Sequence, residues 1–338
     1  MDLLSSLPPE AVDLILENLP IRDAVGTSIL SRDIPGGRRC YLLPSSPCAD
    51  LTRLELSSCS LKPPAAKVFD VWFPNMRELR LWHVAFSGDE MAERLIAGCP
   101  RLEELTLRDF TGLSGLKIRA PNLRDVCVVG ELEWVCFQNA PNAAEVSVVL
   151  VSSGSGRPVA GSVRRMLPPG AAEVLGGLLA VERLHLGFDL QFLTAGNVPK
   201  RLPIFYDHLK NVKLHMNIGD LKEILAVLCL LRSSPNVEKL RIMPSSTTIS
   251  TKHAMDFWEE RVNLDCVLCR LQTVKFKHIY GEKVEVEFMK FLLANSPVLD
   301  KMVIKPYAIS KKRRRSILKE LRQAQNASAR AKILYLDA

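Results

Sequence analysis

Long apolar runs are missing from this 338-residue sequence. The longest uninterrupted stretch, Ile224 to Leu231, falls well short of the roughly 18 residues a spanning helix needs, so no membrane span is expected. Basic residues are absent before Arg22, while Asp2 and Glu10 stand in that stretch, which excludes the charged lead of a secretory signal. A cytoplasmic or nuclear protein is the expectation. Aromatic residues are scarce, at 6%. The nine cysteines are odd in number and scattered, which argues against a disulfide framework and for reduced thiols. Cys266 and Cys269 form the one C-x-x-C pair, and no second pair completes a zinc set. His253 and His278 fall in different predicted elements at a spacing that matches no zinc module, so no metal is expected.

Catalytic signatures are missing too. No G-x-S-x-G, P-loop or H-E-x-x-H pattern occurs, and the glycines at Gly154 and Gly156 do not lead into a phosphate-binding helix. The reading is a protein without enzymatic activity and without a cofactor. Excess positive charge is also missing from most of the chain. The formal net charge is +8, but residues 301–338 carry eleven Lys and Arg against Glu320 and Asp337, so the first 300 residues are close to neutral. No nucleic-acid partner is expected from such a body.

Repetition is what the sequence has in abundance. Leu51 to Leu61 reads L-x-x-L-x-L-x-x-C-x-L, and shorter copies of L-x-x-L-x-L start at Met76, Leu102, Leu123, Val181, Leu209, Val237, Leu271 and Leu299. Successive starts lie 25, 26 and 21 residues apart, then 28, 28, 34 and 28 after a gap, a leucine-rich-repeat period. Pro74, Pro100, Pro121, Pro235 and Pro297 each stand two residues before a copy, and Pro141 stands likewise before a degenerate copy at Ala143. Proline ends the preceding element and hands the chain to the next strand.

Helical patterns fill several gaps, at Asp89–Ala97, Leu221–Arg232 and Val284–Ala294. No single unit can bury its apolar face alone, so the units must stack. The predicted fold is an α/β leucine-rich-repeat solenoid, a curved parallel sheet backed by helices and irregular returns. The repeats span residues 51–265, with a flexible loop near 152–172, where Ser, Gly and Pro dominate. Residues 33–50, rich in Pro and Gly, read as a linker after a short helical amino-terminal segment, 1–32. The leucines point inward, and the alternate residues form an outer face: Glu55, Arg80, Thr106, Cys127, His185, Lys213, Arg241 and Lys275. That shallow, mixed face suits a macromolecule better than a small substrate. Trp82 follows Leu81 and alternates outward, which makes it the tryptophan placed to meet a partner.

Residues 7–31 read as two short helices with apolar stripes at Val12, Ile15, Leu16 and Leu19, and at Ile21, Val25 and Ile29. The stretch from Leu7-Pro8-Pro9-Glu10 to Leu30-Ser31-Arg32 resembles the first half of a plant F-box. Residues 266–338 resemble the FBD domain, notably in Leu271 to Phe276, Gly281, Phe288 to Leu292, Asn295 to Leu299 and Ala327-Ser328. With repeats between them, the chain resembles plant F-box/LRR/FBD proteins over nearly its whole length.

That resemblance implies a substrate-recruiting adaptor of an SCF-type cullin-RING ubiquitin ligase. Its F-box would dock on the Skp-type linker subunit, and its repeats would hold the protein to be ubiquitinated. The positions matching the linker contacts are Leu7, Pro8, Leu14, Ile15, Leu19, Pro20, Ile21, Val25 and Leu30. On the repeats, the candidates for target contact are Glu55, Arg80, Trp82, Thr106, Lys213 and Arg241. One departure bears on this: Arg32 is followed by Asp33-Ile-Pro-Gly-Gly37 in place of the rest of the last F-box helix, so a truncated F-box is expected. The alternative is an interaction scaffold that has lost linker docking. Lys311, Lys312, Arg313, Arg314 and Arg315 form a basic run that suits nuclear import or the solvated start of an amphipathic helix with Ile317, Leu318 and Leu321. No aromatics interleave with these charges to stack on bases.

Overall fold

The structure is a computed structural model that describes residues 39–42, 49–62, 72–150, 175–187, 201–202, 204–244, 252–259, 267–307 and 309–336. The amino-terminal helices, all nine expected linker contacts and the loop expected near 152–172 lie outside the described residues. The chain divides into two compact units, Met1–Ala143 with Ser147–Leu167, and Ala144–Val146 with Pro168–Ala338.

In the amino-terminal unit, β2 (Arg53–Ser57), β4 (Glu78–Trp82), β5 (Glu104–Arg108) and β7 (Asp125–Gly130) pair in that order, all parallel. The register is that of the sequence repeat, since Leu54, Leu79, Leu105 and Val126 stand side by side, as do Leu56, Leu81, Leu107 and Val128. All eight are buried, while the residues between them are exposed or half-buried. This alternation is what one-face burial imposes on a strand.

Two further devices recur with each repeat. The carbonyl just before one strand accepts from two successive N–H groups at the start of the next, as Thr52 does from Arg77 and Glu78, and Arg77 from Glu103 and Glu104. At the far end, Ser58, His83 and Asp109 have φ of 53°, 53° and 52° and turn the chain out of the sheet at equivalent positions. The N–H of Ser58 donates to the carbonyl of Trp82, and that of His83 to the carbonyl of Arg108, so the turns stack like the strands.

The returns are built differently from expectation in one respect. Among the described residues of this unit only α1 (Asp89–Ala97) is helical. The others include a second layer of short parallel pairs, β1 (Arg39–Leu42) with β3 (Cys59–Lys62), and β6 (Gly115–Arg119) with β8 (Trp134–Asn139). An interval of 21 residues leaves little room for a helix, and the alternating Leu116 and Ile118 choose a strand. Helix α1 packs on β6 and supplies its missing acceptors: Asp89 takes the N–H groups of Ser114 and Gly115, and Glu93 that of Lys117. Strand β1 occupies part of the stretch expected as a linker. Strand β9 (Glu145–Leu150) lies where the two units divide.

The carboxyl-terminal unit repeats the scheme with helices. Strands β10 (Arg183–Gly187), β11 (Asn211–Met216), β12 (Lys239–Pro244), β13 (Thr273–Ile279), β14 (Lys301–Pro306) and β15 (Lys332–Tyr335) pair in that order, all parallel. Helices α2 (Leu221–Arg232), α3 (Lys252–Glu259), α4 (Lys283–Asn295) and α5 (Lys311–Gln323) form the returns. Helix α2 is apolar almost all round, and its residues from Ile224 to Leu231, Leu225 aside, are buried. It carries Asp220 as an N-cap that accepts from the Lys222 N–H at 2.8 Å. Helix α3, not foreseen from the sequence, fills the longest interval, and its Trp258 packs on Phe288 and Phe291 of α4. The basic run starts α5, where Ile317 and Leu321 are buried, so the amphipathic reading of that segment holds.

Candidate protein-interaction surface

Side chains on the outer face of each sheet fall into rows, because parallel strands in register place equivalent residues about 4.8 Å apart. In the amino-terminal unit one row is Arg53, Glu78, Glu104 and Asp125, the next Glu55, Arg80, Thr106 and Cys127, and the third Ser57, Trp82, Arg108 and Val129. Opposite charges alternate and pair. Arg53 lies 3.2 Å from Glu78, and Arg80 bridges Glu78 and Glu104, at 3.4 Å from the latter. Glu55 is 3.7 Å from Arg53. Arg108 donates to the Cys127 Sγ at 3.4 Å. These are half-exposed pairs of modest individual worth, but together they leave this face neutral.

Trp82 lies in the outward row as its alternation implies, yet it is half-buried, and its indole N–H is shielded from solvent with no acceptor among the described residues. Of the other tryptophans, Trp72 is buried in the core at 3% exposure. Lys117 sits 5.8 Å from the Trp134 ring, which lies where a Cβ on Gly115 would be, 2.1 Å from the nearest ring atom.

The carboxyl-terminal unit differs in charge. Its first row is Arg183, Asn211, Lys239, Thr273, Lys301 and Lys332, and its second His185, Lys213, Arg241, Lys275, Val303 and Leu334. His215 and the pair Lys277 and Lys305 continue the outward positions beyond Lys213 and Lys275. Acidic residues are absent from these outward rows within the described strands. The carboxylates stand instead at the strand entries, Glu182, Glu238 and Asp300, each just before a first-row cation, and Arg183 also pairs with Glu145. Neutrality over the first 300 residues therefore conceals a segregation that net charge could not reveal.

The consequence is mutual repulsion. Partial burial and the neighbours Lys213, His215 and Arg241 push the His185 imidazole down to about 4. His215 is lowered by burial and by Lys213 and His278, and Lys213 by burial and by Arg241 and Lys277. The His185 and His215 rings lie 5.1 Å apart, as two neutral imidazoles can and two imidazolium ions resist. At neutral pH both histidines are uncharged.

Other expected residues sit in structural roles. Arg313 of the basic run is half-buried, and its Nε and Nη2 donate to the Gly281 carbonyl at 2.9 and 2.6 Å. Arg314 lies 4.4 Å from the Tyr335 ring, while Lys311, Lys312 and Arg315 are exposed. Cys269 is exposed, and Cys266 lies outside the described residues.

One repeated feature was not read from the sequence. Asparagine follows proline at Asn75, Asn122, Asn142 and Asn236, and each side-chain amide donates to a backbone carbonyl of the repeat before it, Ala49, Pro100, Pro121 and Asp207 respectively. The Pro-Asn dipeptide, in register with the leucines, was the available signal.

Over residues 30–242 the chain matches the family model described as FBD-associated F-box protein At5g56370, LRR repeats, and over residues 260–304 the FBD model. It is 32% identical over 295 residues to the F-box/FBD/LRR-repeat protein At1g13570 of Arabidopsis thaliana, covering 86% of this chain and 68% of that protein. The chain belongs to the F-box/FBD/LRR-repeat family. A second Arabidopsis relative, F-box/FBD/LRR-repeat protein At3g26920, is 26% identical over 320 residues, 85% of this chain and 67% of its own. In this family member the FBD match covers β13, α4 and most of β14, which extend the same parallel sheet. The family's names point to an F-box protein of the adaptor type and to interaction rather than catalysis. No helix among the described residues is long and apolar enough to cross a membrane.

Proposed function

We propose that the chain is a substrate-recruiting adaptor of an SCF-type cullin-RING ubiquitin ligase, acting in the cytoplasm or nucleus. Membership of the F-box/FBD/LRR-repeat family carries this reading. Leu7, Pro8, Leu14, Ile15, Leu19, Pro20, Ile21, Val25 and Leu30 dock on the Skp-type linker subunit, and the outward rows of the stacked repeats, a solenoid in this reading, hold the target. The adaptor performs no bond chemistry. It raises the effective concentration of target near the ligase, which is what joining two binding modules on one chain achieves.

The test is retention of the Skp-type subunit by the tagged chain in a cell extract, beside a Leu14→Asp, Ile15→Asp variant. The wild type retains the subunit and the variant does not. If the wild type retains none, the alternative stands, a repeat scaffold without ligase docking. The sequence Asp33-Ile-Pro-Gly-Gly37, where a complete F-box would continue its last helix, is the observation that favours it.

A further inference from the structure

We propose that the outer face of β11–β14 is the docking surface for an acidic segment of the target polypeptide. This deepens the adaptor reading and rests on it, since it names the class of target the repeats hold. Lys213, Arg241 and Lys275 stand side by side on three adjacent strands, and Lys277 and Lys305 form the next outward pair. At about 4.8 Å between strands and about 6.7 Å between alternate residues, five cations share a patch roughly 14 Å across. None of the five has a carboxylate partner or a hydrogen bond among the described residues, in contrast to Arg53 and Arg80 of the amino-terminal unit, which pair with Glu55, Glu78 and Glu104.

Folding alone does not call for such a patch. Like charges held together on a rigid sheet repel, and Lys213 is driven toward its neutral form by its partial burial and then by Arg241 and Lys277. An anionic partner relieves that repulsion, so charge complementarity specifies the occupant. The patch has bounds that fit a short segment. Along the strand entries Glu182, Glu238 and Asp300 close one side with negative charge. Beyond the strand ends lies an aromatic cluster, with Tyr280 and Tyr307 centroids 5.6 Å apart and His278 6.4 Å from Tyr307, and Tyr307 is 62% exposed. An extended acidic peptide, whose alternate side chains project every 6.7 Å or so, matches the spacing of the cations, and a flanking apolar residue meets the tyrosines. A nucleic-acid backbone needs a positive track that continues, and the carboxylates at the entries interrupt one.

The experiment uses the full chain and a fluorescein-labelled peptide of alternating Glu and Ser residues, read by anisotropy at low and moderate salt. Wild type binds, and added salt weakens binding. The variant Lys213→Gln, Arg241→Gln, Lys275→Gln loses about tenfold or more in affinity, whereas Lys311→Gln, Lys312→Gln, Arg315→Gln, with the same charge change elsewhere, loses no more than about twofold. Thermal melting confirms that both remain folded, which removal of mutually repelling charges favours. Equal loss in the two variants, or no binding by wild type, overturns the proposal, and so does tighter binding of a labelled single-stranded oligonucleotide. Skp-subunit retention is measured on the same preparations. Lost retention with peptide binding intact removes the ligase reading alone, and intact retention without peptide binding removes this surface alone.

Discussion

Glu285 offers the sharpest test of how the FBD region is held together. It is fully buried at the third position of α4, and its carboxylate accepts the N–H groups of Gly281 at 2.6 Å, Glu282 at 2.8 Å and Tyr280 at 3.2 Å. With Glu282 it completes a capping box. The turn it organises is clamped from the other side by Arg313 on the Gly281 carbonyl, and Gly281 itself has φ of 80°. Glu285→Ala leaves the buried Gly281 N–H without an acceptor, at about 1–3 kcal/mol, and removes two bonds whose exposed donors, at Tyr280 and Glu282, can turn to water, at about 0.5–1.5 kcal/mol each. Against this, burial pushes the Glu285 carboxyl up despite its amide donors, so losing the charge recovers part of the cost. The net expectation is about 2–4 kcal/mol of destabilisation, and about 1–2 kcal/mol for Glu285→Gln, which keeps one acceptor oxygen. Hydrogen exchange should show faster opening at residues 280–286, with a lower urea midpoint for the carboxyl-terminal unit. Unchanged exchange at these amides in Glu285→Ala would refute the reasoning.

Three further expectations follow the same logic. Leu240→Ala, at a side chain 1% exposed on a central strand, should cost about 2–5 kcal/mol and lower the urea midpoint. Asn122→Ala, which deletes an exposed bond to the Pro100 carbonyl, should cost about 0.5–1.5 kcal/mol and speed exchange locally, with little effect on the carboxyl-terminal unit. Because the folded pKa of His185 lies near 4 and its unfolded value near 6.5, the unfolded chain binds more protons between them, so stability is complete above about pH 6.5 and falls as pH drops toward 4. After allowance for its half-exposed position and its coupling to Lys213, His215 and Arg241, the loss is about 1–2 kcal/mol, and His185→Gln should flatten the profile measured by urea unfolding at each pH.

Much of the scaffold was legible because one signal was written many times. Leu79, Leu105 and Leu240 each stand five residues after a proline, Pro74, Pro100 and Pro235, and each became a buried strand position. Helices Asp89–Ala97 and Leu221–Arg232 were read to the residue, since Gly98 and Ser233 end them clearly. The second-layer strands β6 and β8 were missed because five or six residues in a short return resemble irregular chain until a neighbour is seen to pair with them. The outer face was located correctly, but its character was not. Periodicity says which residues point out, whereas the separation into a neutral and a cationic face depends on which strands become neighbours. Trp82 shows the same limit: alternation put it on the outer face, and only packing could half-bury it.

The account rests on two separable attachments on one chain, one for the linker subunit and one for the target. The most direct measurement is the composition of the complex captured on tagged wild type, on Leu14→Asp, Ile15→Asp, and on Lys213→Gln, Arg241→Gln, Lys275→Gln, with Skp-type subunit and target quantified together. The account predicts that the first variant loses the Skp-type subunit and still captures the target, now without its ubiquitin, so that target is counted modified and unmodified together, and that the second does the reverse. Variants that remain folded yet lose both together, or neither, would contradict it.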